Sequence, residues 1–136
     1  MRITAGAVIA TSGGLAMIGS ALAADMTGAE IKASIAGKSV YLETTGASAA
    51  GRAGQAVIYY GEDGTAFYRT PMGAVWHGTW QIKGDTVCID WKEKPNNPCT
   101  RWDKAGGTLS IIRATTGETI AKVDKIAAGN AEKLAP

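Results

Sequence analysis

The residues best suited to chemistry are crowded into the stretch 75–102, VWHGTWQIKGDTVCIDWKEKPNNPCTRW, which holds the only histidine, both cysteines and all four tryptophans of the chain. A hydrolase this small needs a nucleophile with a base, a carboxylate pair or a metal cage. His77 sits between Trp76 and Gly78, and spacing alone brings no Ser, Cys or acid beside it. Asp90 falls diagonally across a hairpin from His77, and one His with one Asp does not make a triad. We read His77 as an exposed strand residue and assign no catalytic residue; a hydrolase using His77 with Asp90 is the competing reading. The other acids lie mostly at turns, as in Glu62-Asp63-Gly64 and Gly84-Asp85, where they do turn chemistry. Ala105-Gly106-Gly107 precedes no helix and so lacks the setting of a phosphate loop. Neither a cofactor nor a metal site is expected.

The cysteines and tryptophans are placed by the elements around them. Gly84-Asp85 between two alternating runs suits a two-residue hairpin turn with Gly at the first central position, where positive φ costs little. That turn sets Ile82 opposite Val87, Gln81 opposite Cys88, Trp80 opposite Ile89 and Gly78 opposite Trp91. With a side-chain period of two, Trp76, Trp80, Ile82, Val87, Ile89 and Trp91 share one face; His77, Thr79, Gln81, Cys88 and Asp90 share the other. A further strand from Cys99 to Asp103, after the turn-rich Lys94-Pro95-Asn96-Asn97-Pro98, brings Cys99 back within disulfide reach of Cys88 and adds Trp102 to the apolar face. Metal sites usually need four ligands and redox pairs favour Cys-x-x-Cys, so a structural Cys88–Cys99 disulfide is the preferred reading.

Residues 1–23 read as a secretory signal peptide: Arg2 opens it, small and apolar residues follow, and Ala21-Leu22-Ala23 makes an A-x-A cleavage site. The mature chain is then expected to begin at Ala24, in a periplasmic or secreted setting that suits the cysteines. Cleavage leaves 113 of the 136 residues and removes Arg2, the leader's one charged residue, so the formal charge falls from +2 to +1. A balance so close to neutral argues against nucleic acid as the main partner. Lys92, Lys94, Arg101 and Lys104 are interleaved with Asp90, Glu93 and Asp103 and read as a solvated face.

Met26 to Gly37 is the one helical candidate, with Thr27 as cap, Glu30 completing a capping box, Ile31 and Ile35 on one face and Gly37 as the stop. Strands follow at Val40–Thr44, Ala56–Tyr60 and Thr65–Thr70, then the hairpin and the Cys99 strand, then Thr108–Arg113 and Thr119–Ile126. The last has imperfect alternation that calls for a bulge. The loop from Gly46 to Gly54 is expected to be mobile. Eight strands in a meander predict an all-β fold, an up-and-down antiparallel barrel or a strongly curved sheet, with one short N-terminal helix. The domain spans 24–130, and 131–136 reads as a tail. Such a barrel is just wide enough to be filled by side chains or to hold one small ligand. Trp76, Trp80, Trp91 and Trp102 are the candidate core or ligand-contacting aromatics; a filled core is the preferred reading, with Gly78 and the first loop leaving room for a mouth.

At Gly78-Thr79-Trp80, Gly84-Asp85, Val87-Cys88-Ile89-Asp90-Trp91 and Cys99, with a closing strand ending in Ala128-Gly129-Asn130, the chain resembles small secreted proteins of alphaproteobacteria grouped as a domain of unknown function. The run Tyr59-Tyr60-Gly61-Glu62-Asp63-Gly64-Thr65 fits that pattern, and the resemblance covers roughly Lys38 to Asn130. It implies no activity. The architecture is also similar to periplasmic inhibitors of secreted metalloproteases, small barrels with one disulfide whose mature N-terminal segment enters the protease cleft. Here Ala24, Asp25 and Met26 are what precede the Thr27 cap. Together these features point to a non-enzymatic secreted or periplasmic binding module, acting on a protein partner in the cell envelope, with an inhibitor-like mode as one form of that binding. The alternative is a lipocalin-like carrier of a small apolar ligand, which requires a cavity of a few hundred Å³ open at one end.

Overall fold

The Gly84-Asp85 turn closes the hairpin in the expected register. Gly84 has φ of 60°, and Ile82 pairs with Val87, Gln81 with Cys88, Trp80 with Ile89 and Gly78 with Trp91. In the computed structural model, which describes residues 24–135, this hairpin is part of a closed antiparallel barrel. The expected leader lies outside the described residues. The elements are β1 (Ala24–Asp25), α1 (Gly28–Ile35), β2 (Lys38–Thr44), β3 (Gly54–Tyr60), β4 (Thr65–Arg69), β5 (Val75–Lys83), β6 (Thr86–Trp91), β7 (Thr100–Ala105), β8 (Thr108–Arg113) and β9 (Thr119–Ala128). Strands β2 to β9 pair with their neighbours in sequence, except that β9 returns to β2, which closes the ring. Closure removes the two free edges that an open sheet would have to protect.

The alternation of each strand puts one set of side chains into the barrel. Val40 and Leu42, Ile58 and Tyr60, Ala66 and Tyr68, Trp80, Val87 and Trp91, Trp102, Ile111 and Ala121 form one buried cluster with Ile31 and Ile35 of α1. The bulge called for by β9 is present. Tyr41 pairs with Lys125 and Leu42 with Val123, leaving Asp124 as the extra residue, so Val123 and Ile126 both pack against the core.

Helix α1 forms because its ends are satisfied locally. The Thr27 hydroxyl accepts from the Glu30 N–H at 3.1 Å, and the Glu30 carboxylate accepts from the Thr27 N–H at 2.8 Å, a reciprocal cap whose loss costs about 1 kcal/mol. The helix lies across one end of the barrel: the Gly28 N–H donates to Asp85 in the β5–β6 turn, and the Gly37 N–H that follows the helix donates to the Tyr60 carbonyl. Full burial of Ile31 and Ile35 stabilises this plug by about 1.5–3 kcal/mol each.

The closing seam between β6 and β7 is unlike the others. Val87 with Thr100 is its one register pair, and the Cys88–Cys99 disulfide stands beside it. Further along β7, where β6 has diverged, Ala24 and Asp25 pair with Lys104 and Asp103, and the Met26 N–H donates to the Trp102 carbonyl at 2.8 Å.

The segment after Asn130 is anchored to the outside of the barrel. The Ala131 N–H donates to the Ser39 hydroxyl, which itself donates to the Gly129 carbonyl. Glu132 accepts from the Tyr41 hydroxyl at 2.6 Å and from Arg69 at 3.2 Å. Val57 lies in register between Tyr41 and Arg69, the two residues that Glu132 bridges, and is buried.

Candidate functional site

With α1 plugging one end, the opposite end of the barrel is bounded by the loops 45–53, 70–74, 92–99 and 114–118. Beneath them lies a cavity of about 240 Å³. Its floor and walls are apolar and aromatic: Leu42, Ile58, Tyr60, Tyr68, Val87, Ile89, Trp91 and Ile111. Its mouth is polar, formed by Ser48 from the first loop, by Lys94, Asn96 and Asn97 from the loop after β6, and by Arg113 at the end of β8.

The tryptophans occupy the barrel unevenly. Trp80 is turned toward the plugged end, where its indole N–H donates to the Gly61 carbonyl at 2.8 Å and its ring meets Tyr60 edge-on at 5.4 Å. Trp102 is fully buried, and neither it nor Trp80 lines the cavity. Trp76 is half-buried and packs edge-on against Tyr68. Trp91 alone of the four reaches the cavity wall, 5.4 Å from Tyr68. The expected filled core therefore holds for one half of the barrel only. Burial pushes the phenols of Tyr60 and Tyr68 above their ordinary range, the nearby Ser48 hydroxyl pulling the latter partly back. Both are neutral walls at physiological pH.

The loop expected to be mobile is tied into a roof. Thr44, buried at the end of β2, points its hydroxyl at the Arg52 and Gly54 carbonyls at 2.8 and 2.9 Å. Ser48 donates to the Arg52 carbonyl at 3.1 Å, and Arg113 donates through Nη2 to the carbonyl of Ala47. Arg113 Nε is buried with no hydrogen-bond partner among the described residues; Glu118, 59% exposed, is 3.7 Å away, too far for a hydrogen bond. Sequence reasoning passed over Arg113. The signal was there: it shares the inward phase of β8 with Ile111, and its register partner Thr100 also lines the cavity.

His77 lies outside the barrel but is not the exposed residue expected: its side chain is 27% exposed, its Nε2 is buried without a hydrogen-bond partner among the described residues, and its partner is Glu93 rather than Asp90. Its Nδ1 is 2.6 Å from Glu93 Oε2, and its backbone N–H donates to Glu93 Oε1 at 2.8 Å. Desolvation pushes the Glu93 carboxyl up, and the two hydrogen bonds from His77 outweigh it, leaving the group below its ordinary value. Asp90 pairs with Thr79. The ring of His77 stands edge-on to Phe67, which stacks on Tyr59, so the histidine extends an outer aromatic stripe. No Ser, Thr or Cys side chain hydrogen-bonds to it among the described residues. Among those residues, too, no group of three or more His, Cys, Asp or Glu is gathered as a metal ion would require, and no helix is long and apolar enough to cross a membrane.

Compared with known families, with curated proteins and with solved structures, the chain matches none.

Proposed function

We propose that this protein is a non-enzymatic binding barrel that takes up a small, mainly apolar molecule in the cavity opposite α1. The carrying observation is the cavity itself: about 240 Å³, walled by Ile58, Ile111, Tyr68 and Trp91 and roofed by a hydrogen-bonded loop. A barrel so built holds a ligand by apolar burial and selects it with a few polar groups at the rim. The Cys88–Cys99 disulfide and the leader-like residues 1–23 support action outside the cytoplasm. The inhibitor-like reading is the weaker one, because Ala24 and Asp25 are paired with β7 and Met26 is buried, which leaves no free arm among residues 24–26.

Native mass spectrometry of protein exported to a periplasm and gently purified tests the reading. A small-molecule adduct is expected, and it is expected to vanish in Ala121→Leu, which adds three carbon atoms at a buried cavity-lining position. A clean apo mass, together with no methyl shifts at Ile58 or Ile111 on titration with a panel of small apolar molecules, would overturn it.

A further inference from the structure

We infer that the cavity's ligand is an amphipathic anion, a short apolar chain or ring ending in a carboxylate, with Arg113 as the residue that receives its head. The inference rests on the ligand-binding reading above and adds the chemical class. Among the described residues two cations, Arg113 and Lys94, line the cavity, and no Asp or Glu does. A guanidinium is the side chain best shaped to take a carboxylate with two parallel hydrogen bonds. Arg113 is only partly engaged by the protein: Nη2 donates to the Ala47 carbonyl, while Nε is buried without a hydrogen bond. Its one ion-pair neighbour among the described residues, Glu118, is 3.7 Å from Nε and mostly exposed, so it neutralises the guanidinium weakly. An approaching carboxylate is met by the part of the guanidinium left accessible, the side chain being 25% exposed, and gains charge-assisted hydrogen bonds there.

The division of the cavity fits the same ligand. Arg113 and Lys94 stand with Asn96 and Asn97 at the mouth, whereas Ile58 and Tyr60 lie toward the plugged end. A molecule entering tail first places its apolar part on the floor and its head among the cations. Lys94, assigned by charge pattern alone to a solvated face, is exposed yet lines this mouth. Size limits the tail. A dry cavity of about 150 Å³ takes one benzene, so one of about 240 Å³ takes about ten non-hydrogen atoms.

Octanoate, octan-1-ol and octylamine match that size and differ in the head. Titrated by calorimetry at neutral pH into the full chain with its disulfide intact, octanoate is expected to bind about tenfold or more tighter than octanol, and octylamine no better than octanol. Methyl shifts at Ile58 and Ile111 locate the site. Arg113→Gln is expected to erase the octanoate advantage over octanol measured in the same variant, and Lys94→Gln, in an exposed loop position, to reduce it several-fold. Added salt should weaken octanoate alone, a readout that needs no variant. Equal binding of octanoate and octanol, or a preference for octylamine, would overturn the anionic head and leave the cavity reading standing. Binding of none of the three would remove both.

Discussion

Val87 is paired with Thr100, and among the described residues no other register pair joins β6 to β7; the bond between Cys88 and Cys99 holds the barrel shut beside it. Both Val87 and Thr100 line the cavity, so the seam is also part of its wall. Removing the bond with a Cys88→Ala, Cys99→Ala pair is expected to cost about 3 kcal/mol by the chain-entropy account. That is on the order of 10 °C in melting temperature for a domain this size. Hydrogen exchange should quicken first at β6 and β7, and a uniform change over all strands would show that the seam is not the weak point.

Gly28→Ala should destabilise the protein even though alanine is the better helix former. A Cβ at position 28 would lie 2.1 Å from the Gly84 carbonyl oxygen and 2.8 Å from a methyl of Ile82. The helix start must then move off the turn that also receives the Gly28 N–H. We expect a loss of about 1–3 kcal/mol in urea unfolding, and an unchanged midpoint would mean that α1 is not held against the β5–β6 turn.

The segment after Asn130 should detach at both ends of the pH scale. Hydrogen bonds from Tyr41 and then Arg69 hold the Glu132 carboxyl below its ordinary 4.5. Its contribution is therefore whole above that value and lost as pH falls through the lower folded-state pKa. The hydrogen bond to Glu132 is also the main cause that raises the Tyr41 phenol above 10.0, so its contribution is whole below that pH and lost as pH rises through the folded value. Amide shifts of Ala131 and Leu134 are expected to stay constant between these limits and to move outside them.

His77→Ala is expected to leave ligand uptake unchanged and to cost less than about 1 kcal/mol, since the lost contact to Glu93 is partly exposed. Glu93 keeps the backbone N–H of residue 77 in the variant. Loss of ligand binding in this variant, with the fold intact by circular dichroism, would give the outer dyad a functional part.

Thr44→Val preserves the shape of a buried residue and removes the hydroxyl that holds the Arg52 and Gly54 carbonyls. We expect about 1–3 kcal/mol of destabilisation, with faster proteolytic nicking between residues 46 and 53. Unchanged nicking would mean that the roof is held by Ser48 and Arg113 instead.

What the chain determines by itself is what its own connectivity enforces over short separations. The Gly84-Asp85 turn sets the hairpin register, Thr27 and Glu30 cap α1 three residues apart, and the disulfide closes over a separation of 11. The period-two pattern puts the tryptophans inside, and the break in alternation along β9 announces its bulge. Periodicity says which face a side chain takes and nothing about its height along the barrel axis. That height decided that Trp80 packs toward the plugged end and Trp102 clear of the cavity, while the other half stays open. It also placed Arg113 at the mouth with a carbonyl 66 residues away. Glu132 reaching Tyr41 across 91 residues, Glu93 displacing Asp90 as the neighbour of His77, and Ala24–Asp25 completing the edge of β7 arise in the same way. Each depends on how a twisted sheet curls until distant ends meet, and that closure belongs to the whole barrel rather than to any stretch of sequence.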